Sequence, residues 1–563
     1  MTIRNLLTLS LKVSLLTSLG LVLFKPVSAI EQAHTADDFV DSIGVCTHLQ
    51  YDTAKCPYND YTRVKRWLAD MGVRHIRDGS NRPYVQDWFH DLNTSLGIKT
   101  TEVFWPAPYW TIADGIALIK THATPQAVDA VEGMNESDLS RNSYTDASGK
   151  ATTTFPDVAK AYQTDLYQAV KSDTATVHLP VIAPSVGRSG NEAAFAPFTQ
   201  FDYQVMHSYH NGAPLAFLDG FMGNSNKIVG TTLNKPLIAT ECGSPTGIDK
   251  PGLVSELAQG KYYPRMLAEY FNRGVVRSFL YELFEQGGET HGLVKMTWKD
   301  NRTTDTETPK PAYTNVKNLI AILKDPETSF VPGELDYTLK GGTPDVHHTL
   351  LQKHDGTFYL LLWQEVKSYD NTVNPGKDMT IAPVPVTVQC TTPITSGEWY
   401  DPSVGTQSTP LTVTGNAVTL SVPDSVVIVK LTPKGPLSIP ERKSLCAAIN
   451  AGGELAGAFV PDAGFNGGQT VSTKASITLT GVDRPAPQAV YQTQRSGECV
   501  YNIPRLQPGG AYLVRLHFAE IEKYAAGQRK FDVAINGKRI LTDLDLFATA
   551  QAKNRARTMF PGP

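Results

Sequence analysis

Between residues 36 and 325, short apolar runs alternate with stretches whose apolar residues recur at helical spacing. The runs cover 42–49, 73–78, 99–105, 127–135, 177–184, 202–209, 236–241 and 276–284. The intervening stretches include 61–71, YTRVKRWLADM, and 264–273. Eight strands separated by helices over this length predict a (β/α)8 barrel. A doubly wound sheet would also alternate, but it usually places a glycine-rich phosphate loop after its first strand. Here the first run leads into Cys46-Thr47-His48 instead. Past residue 328 the helical period disappears. Residues 328–434 hold short β-rich runs such as 358–363, FYLLLW, separated by turn signals at Asp355-Gly356 and Asp401-Pro402, which predicts a β-sandwich. Residues 440–563 form a second β-rich region. There Asn536-Gly537 marks a hairpin between 531–535 and 539–541, and 557–563 carries no strand pattern. The expected fold class is therefore α/β: a TIM barrel followed by two β-sandwiches.

Residues 1–29 read as a secretory leader, with Arg4 and Lys12 ahead of a twelve-residue apolar run and Val27-Ser28-Ala29 at a cleavage site. The run falls short of the roughly 20 residues that span a bilayer. A secreted, periplasmic or cell-surface protein is expected, without stable membrane insertion after leader removal. Export permits disulfides; Cys46 could pair with Cys56 and Cys446 with Cys499, while Cys242 and Cys390 have no evident partner. The 563 residues carry 51 Lys+Arg against 55 Asp+Glu, a net charge of −4. That balance opposes nucleic-acid binding, which needs a cationic surplus. No CxxC or HExxH pattern indicates a zinc site.

In a parallel barrel the chemistry sits at the C-terminal ends of the strands. The fourth run ends in Glu132-Gly133-Met134-Asn135-Glu136 and the seventh in Ala239-Thr240-Glu241. Two converging carboxyls suit glycoside cleavage, one protonated to donate to the leaving oxygen and one ionised to attack the anomeric carbon. His207 and Tyr209, two apart on the sixth strand, face one side, and the tyrosine hydroxyl could hold a carboxylate. Arg77 ends the second strand and could pair with a buried carboxylate. Asn135 could donate to a sugar 2-hydroxyl. Trp105, Tyr109 and Trp110 after the third strand, with Tyr281 and Glu282 after the eighth, complete the candidate sugar contacts.

These residues resemble clan A of the glycoside hydrolases, the retaining (β/α)8 enzymes. The resemblance rests on the Asn135-Glu136 pair, Glu241 in ATECG, His207-x-Tyr209, Arg77, and His291-Gly292-Leu293 followed by TPKPAY. It implies Glu136 as acid/base, Glu241 as nucleophile, a poly- or oligosaccharide substrate, double displacement, and no cofactor. Ser137 stands where a proline often follows, and Cys242 directly follows the nucleophile. Residues 446–553 are similar to the malectin domain, through AINAGG at 448–453, VYQT at 490–493, LHFAE at 516–520 and FDV at 531–533. That similarity implies a carbohydrate-binding module with Tyr491 in its site, and a domain C-terminally incomplete. Two rival functions share these features: a catalytically inactive carbohydrate-binding cell-surface protein and a transglycosylase.

Overall fold

The computed structural model describes residues 29–559 apart from 80–81, 107–110, 123–125, 140–141, 212–234, 251, 302, 327–329, 331, 343, 435–447, 458, 480–481, 483–484, 502–513 and 536–537. The expected leader at 1–28 lies outside the described residues, as do Tyr109, Trp110 and Cys446. The chain divides into two compact units, one formed mainly by residues up to 438 and one by 439–563. Among the described residues, no helix is long and apolar enough to cross a membrane.

The first unit is built on an eight-stranded parallel sheet: β1 (Ile43–Cys46), β2 (His75–Asp78), β3 (Lys99–Val103), β4 (Val128–Glu132), β5 (Val181–Ile182), β6 (Gln204–Tyr209), β7 (Leu237–Gly243) and β8 (Val275–Leu280). The order β6-β7-β8-β1-β2-β3-β4-β5 is sequential and cyclic. A parallel bridge from Ile182 to Tyr203 joins β5 to β6 and closes the barrel. Each predicted strand is present. The fifth shrinks to two residues because Asp173 starts a turn, accepting from Ala175 N at 2.9 Å, and leaves Val177 exposed.

The helices follow from local chemistry. In α1 (Tyr61–Met71) Asp60 accepts from Arg63 N at 3.1 Å as the N-cap, Gly72 at φ 78° ends the helix, and Val64, Trp67, Leu68 and Met71 form the buried stripe. Next come α2 (Pro83–Leu96), α3 (Ile112–Thr121) and α4 (Asp157–Ser172). α5 spans Glu256–Asn272, starting eight residues before the predicted 264. Ser255 caps Ala258 N, and the helix is buried on most sides, so packing carries it through Pro264. α6 (Pro311–Leu323) closes the barrel layer.

The sandwich draws its edges from both sides of the barrel. One sheet runs Ala29–Gln32, Glu334–Gly341, Val384–Cys390, Ala417–Val422, and the other His34–Thr35, Val346–Gln352, Phe358–Gln364, Val427–Pro433, Ile394–Tyr400, Thr409–Leu411. Residues ahead of position 36 thus complete a domain expected to begin at 328. Phe358–Gln364 is buried at every position. Leu360 and Leu362 face the inter-sheet core, whereas Leu361 and Trp363 pack with barrel helices. That double burial explains the unbroken FYLLLW run. Arg265 of α5, fully buried, donates to both oxygens of Glu365 at 2.8 and 3.1 Å and to Ser368 Oγ at 3.1 Å.

The second unit holds antiparallel pairs, Phe465–Ser472 with Thr493–Tyr501, Leu516–Ala519 with Ala556–Met559, and Phe531–Ile535 with Lys538–Leu544. The hairpin read from Asn536-Gly537 is formed on either side of those residues. Residues 557–559, part of the stretch 557–563 read without a strand pattern, belong to the strand Ala556–Met559 because Leu516–Ala519 offers it an edge.

Candidate active site

Arg77 organises the C-terminal mouth of the barrel. It sits next to last in β2, is almost fully buried, and directs its fork of donors to β7, the end of β4 and the loop that follows β4. Nε and one terminal nitrogen reach Glu132 at 2.6 and 3.1 Å, the other terminal nitrogen reaches Glu241 Oε1 at 2.7 Å, and Asn135 Oδ1 accepts at 2.6 Å. A guanidinium only donates. The Asn135 oxygen must therefore face it, which leaves the exposed amide NH2 to donate to a ligand.

Glu241 accepts from Arg77 through Oε1 and from the Tyr209 hydroxyl through Oε2 at 2.5 Å. Burial alone would raise its pKa. The His207 and Arg77 charges and the Tyr209 and Arg77 hydrogen bonds outweigh it and hold the carboxyl at about 2. Glu241 is thus ionised at any ordinary pH. Burial and the facing carboxylate push the Tyr209 phenol well up, so it remains a donor.

Glu136 stands on the loop after β4 with φ 39°, a left-handed conformation rarely adopted by a residue with a side chain. The loop after β5 holds it there. Ser185 Oγ accepts from Glu136 N at 2.9 Å, Ser185 O accepts from Ser137 N at 3.1 Å, and Ser185 N donates to Met134 O at 3.1 Å. The Glu136 carboxylate lies 3.1 Å from His207 Nδ1, which is 3.5 Å from Glu241 Oε2. One donor atom from each of Glu136, His207 and Glu241 falls within 4.8 Å of the others. The Arg77 guanidinium on Glu241 opposes a metal cation in that triangle.

His207 is buried, and its Nε2 lies 3.1 Å from Thr240 Oγ1. Burial would lower its pKa, but the Glu241 charge and the contact with Glu136 raise it. Thr240 Oγ1 donates to Glu132 Oε1 at 2.9 Å. Strict alternation would send Thr240 and Glu241 to opposite faces. The pairing of β6 with β7 instead skips Thr240: Met206 faces Ala239 and His207 faces Glu241. This bulge turns both side chains into the lumen.

Aromatic groups wall the site. The Tyr281 ring meets His48, Tyr209 and His291 edge-on at 5.7, 6.3 and 5.5 Å between centroids. Trp105 is half-buried and lies over Gly79, where a Cβ would come within 2.4 Å of the indole.

Two expected ligand contacts are corrected. Glu282 is fully buried, accepting from Tyr58 at 2.9 Å and Gln286 at 3.1 Å with His48 Nε2 at 3.3 Å, so it braces the wall from behind. Tyr491 is 2% exposed in the second unit's core, where its hydroxyl accepts from Ala486 N at 3.2 Å and meets His517 Nδ1 at 2.8 Å, so its ring presents no sugar-stacking face. Cys46 and Cys56 are free and buried, with Cys46 Sγ donating to Thr240 O at 3.3 Å, so they do not pair.

Sequence reasoning missed Glu132, Thr240, Ser185 and His48. Glu132 carried a signal, a carboxylate in the otherwise mostly apolar strand VDAVE, which demands a buried partner. Ser185 and His48 gave none.

Residues 445–560 match the malectin domain. Malectin-B of Xenopus laevis is 38% identical over 65 residues, 11% of this chain and 23% of that protein. Malectin of Homo sapiens is 38% identical over 65 residues, 11% and 22%. The chain thus spans about a quarter of the length of the curated relatives it matches. Among solved structures, a family 39 glycoside hydrolase from Bacteroides cellulosilyticus WH2 aligns with a TM-score of 0.47 and 16% identity over 70% of this chain and 82% of that one. An endo-β1,6-glucanase aligns at 0.36 and 12% over 73% and 94%. The chain carries a malectin domain at its C-terminus, following in sequence the (β/α)8 barrel and β-sandwich described above.

Proposed function

We propose that the protein is a secreted retaining glycosidase acting on poly- or oligosaccharides. The observation that carries this reading is the approach of Glu136 and Glu241, carboxylate oxygen to carboxylate oxygen within 4.8 Å, at the barrel mouth. Retaining enzymes hold the two carboxyls about 5–5.5 Å apart, whereas inverting enzymes need about 6.5–9.5 Å to admit a water. Arg77 and Tyr209 aim the ionised Glu241, whose carboxylate oxygen attacks the anomeric carbon. Glu136 donates its proton to the leaving oxygen and later takes one from the water that releases the sugar. Asn135 donates to the sugar 2-hydroxyl, and Tyr281 offers its ring to the apolar sugar face.

The test is hydrolysis of a panel of aryl β-glycosides, with the anomer of the first product read by NMR. Retention is expected. Glu241→Ala is expected to abolish turnover and, with azide, to regain part of it as the glycosyl azide. A folded wild-type protein inert across the panel, or an inverted first product, overturns the reading.

A further inference from the structure

A chain of three polar contacts leads away from the acid/base through His207, Thr240 and Glu132 to Arg77. His207 Nε2 lies 3.1 Å from Thr240 Oγ1, Thr240 Oγ1 lies 2.9 Å from Glu132 Oε1, and Glu132 receives two N–H groups of Arg77. Thr240 and Glu132 are fully buried, and the His207 side chain is 2% exposed. Direction along this chain is fixed by what each group can give. Arg77 can only donate, so Glu132 faces it as an acceptor. The single Thr240 proton then goes to Glu132. Having given it, the Thr240 oxygen can only accept, and the proton on the remaining contact must come from His207 Nε2.

We infer that Thr240, oriented by Glu132 and Arg77, is a positioning residue that fixes His207 as its Nε2–H tautomer and so keeps the acid/base Glu136 protonated. Above its raised pKa His207 is neutral, and with hydrogen on Nε2 it turns the bare lone pair of Nδ1 toward Glu136 Oε1, 3.1 Å away; below it, the imidazolium carries hydrogen on both nitrogens and donates to Glu136 instead. That lone pair accepts from a protonated Glu136. It repels an ionised one, whose approach would put two acceptors face to face. The opposite tautomer, with hydrogen on Nδ1, would stabilise ionised Glu136 and disarm it. The charged groups facing His207 are Glu132 of β4, Glu136 of the loop after it, Glu241 of β7 and Arg77 of β2. Glu132 and Glu241 are both engaged by Arg77, so the proton on the His207–Glu136 axis is the mobile one in the cluster. The β7 bulge makes the relay possible, because it admits Thr240 to the lumen beside Glu241.

The inference rests on the glycosidase reading for its consequence but not for its first test. In full-length protein labelled with [15N]histidine, with His207 assigned by its loss in His207→Gln, the ring nitrogens report the tautomer without any substrate. Nε2–H is expected in the wild type and in Thr240→Ser, and Nδ1–H in Thr240→Val. An Nδ1–H wild type, or an unchanged tautomer in folded Thr240→Val, overturns the relay even if the protein hydrolyses every glycoside offered. An inert wild type with the expected tautomers sinks the glycosidase reading and leaves the relay standing. In turnover, Thr240→Val is expected to lower kcat about tenfold for poor leaving groups. Dinitrophenyl glycosides, which need no proton, should react as before, and Thr240→Ser should restore the wild-type profile. Should Thr240→Val fail to fold, Glu132→Gln serves in its place, since its amide can donate to Thr240 and free the threonine proton for His207. A Glu132→Gln protein still in the Nε2–H form counts against the relay.

Discussion

A single hydroxyl separates Glu241 held by two donors from Glu241 held by one. Tyr209→Phe removes the 2.5 Å bond to Oε2 and leaves Arg77 on Oε1. A hydrogen bond to a charged group contributes about 1.5–3 kcal/mol, so kcat is expected to fall about 10–100-fold. KM should change little, since the phenol serves the nucleophile; steady-state kinetics on one aryl glycoside checks the split. A second residue-scale outcome concerns stability. Glu102 on β3 is fully buried beside Gln86 of α2, and burial pushes its carboxyl from 4.5 to about 8. An acid with a raised folded pKa binds its proton more tightly in the native state, so its contribution is complete below 4.5 and is lost as pH rises toward 8. Relative to Glu102→Gln, the wild type is expected to lose about 3 kcal/mol between pH 4.5 and 7, measured by denaturant unfolding across that range. At this scale the sequence was informative where residue type and strand-end position suffice. Glu136, Glu241, Arg77, His207, Tyr209 and Asn135 all meet at one mouth. It failed at Thr240, because a bulge breaks the alternation that periodicity assumes. It misplaced Glu282 and Tyr491, because a motif position does not say whether a side chain faces solvent or core.

Among the elements, strands were easier to read than the loops that do the positioning. Eight apolar runs announce eight barrel strands, since most of their positions are buried on both faces. The catalytic loop after β4 has no such signature, and its shape is imposed by its neighbour. Glu136 at φ 39° bears a strain of about 1–3 kcal/mol, and Ser185 offsets it through one hydroxyl and two backbone groups. Ser185→Ala removes the acceptor for Glu136 N while keeping the backbone contacts. About 1 kcal/mol of stability should be lost, with roughly tenfold in kcat if the loop relaxes toward an ordinary φ. Thermal melts and kinetics on the same preparation separate the two effects. A drop in stability with unchanged kcat would show that the loop holds Glu136 without this contact.

The whole first unit depends on a long-range pairing that no local pattern announces. Residues 29–32 pair with Glu334–Gly341 in one sheet, and His34–Thr35 pairs in parallel with Leu351 and Gln352 in the other. A sequence read segment by segment places these residues between leader and barrel, because strand partners some 300 positions apart leave no trace in periodicity. Yet they close both sheet edges beside the barrel. Ala33 is buried in the inter-sheet core, and Glu31 accepts from Tyr337 and meets His348 Nε2 at 3.0 Å. A chain begun at residue 36 keeps every barrel strand and every catalytic side chain but leaves two edges unpaired, the outer one along Glu334–Gly341. Open edges invite pairing with other chains. Such a chain is expected to melt lower than one begun at residue 29, by about 2–4 °C for each kcal/mol lost, and to aggregate on heating. Its kcat at 25 °C should stay near wild type, because the Arg77–Glu241–Tyr209 cluster draws no atom from those residues. Equal melting temperatures for the two chains would mean that the N-terminal strands decorate the sandwich without supporting it.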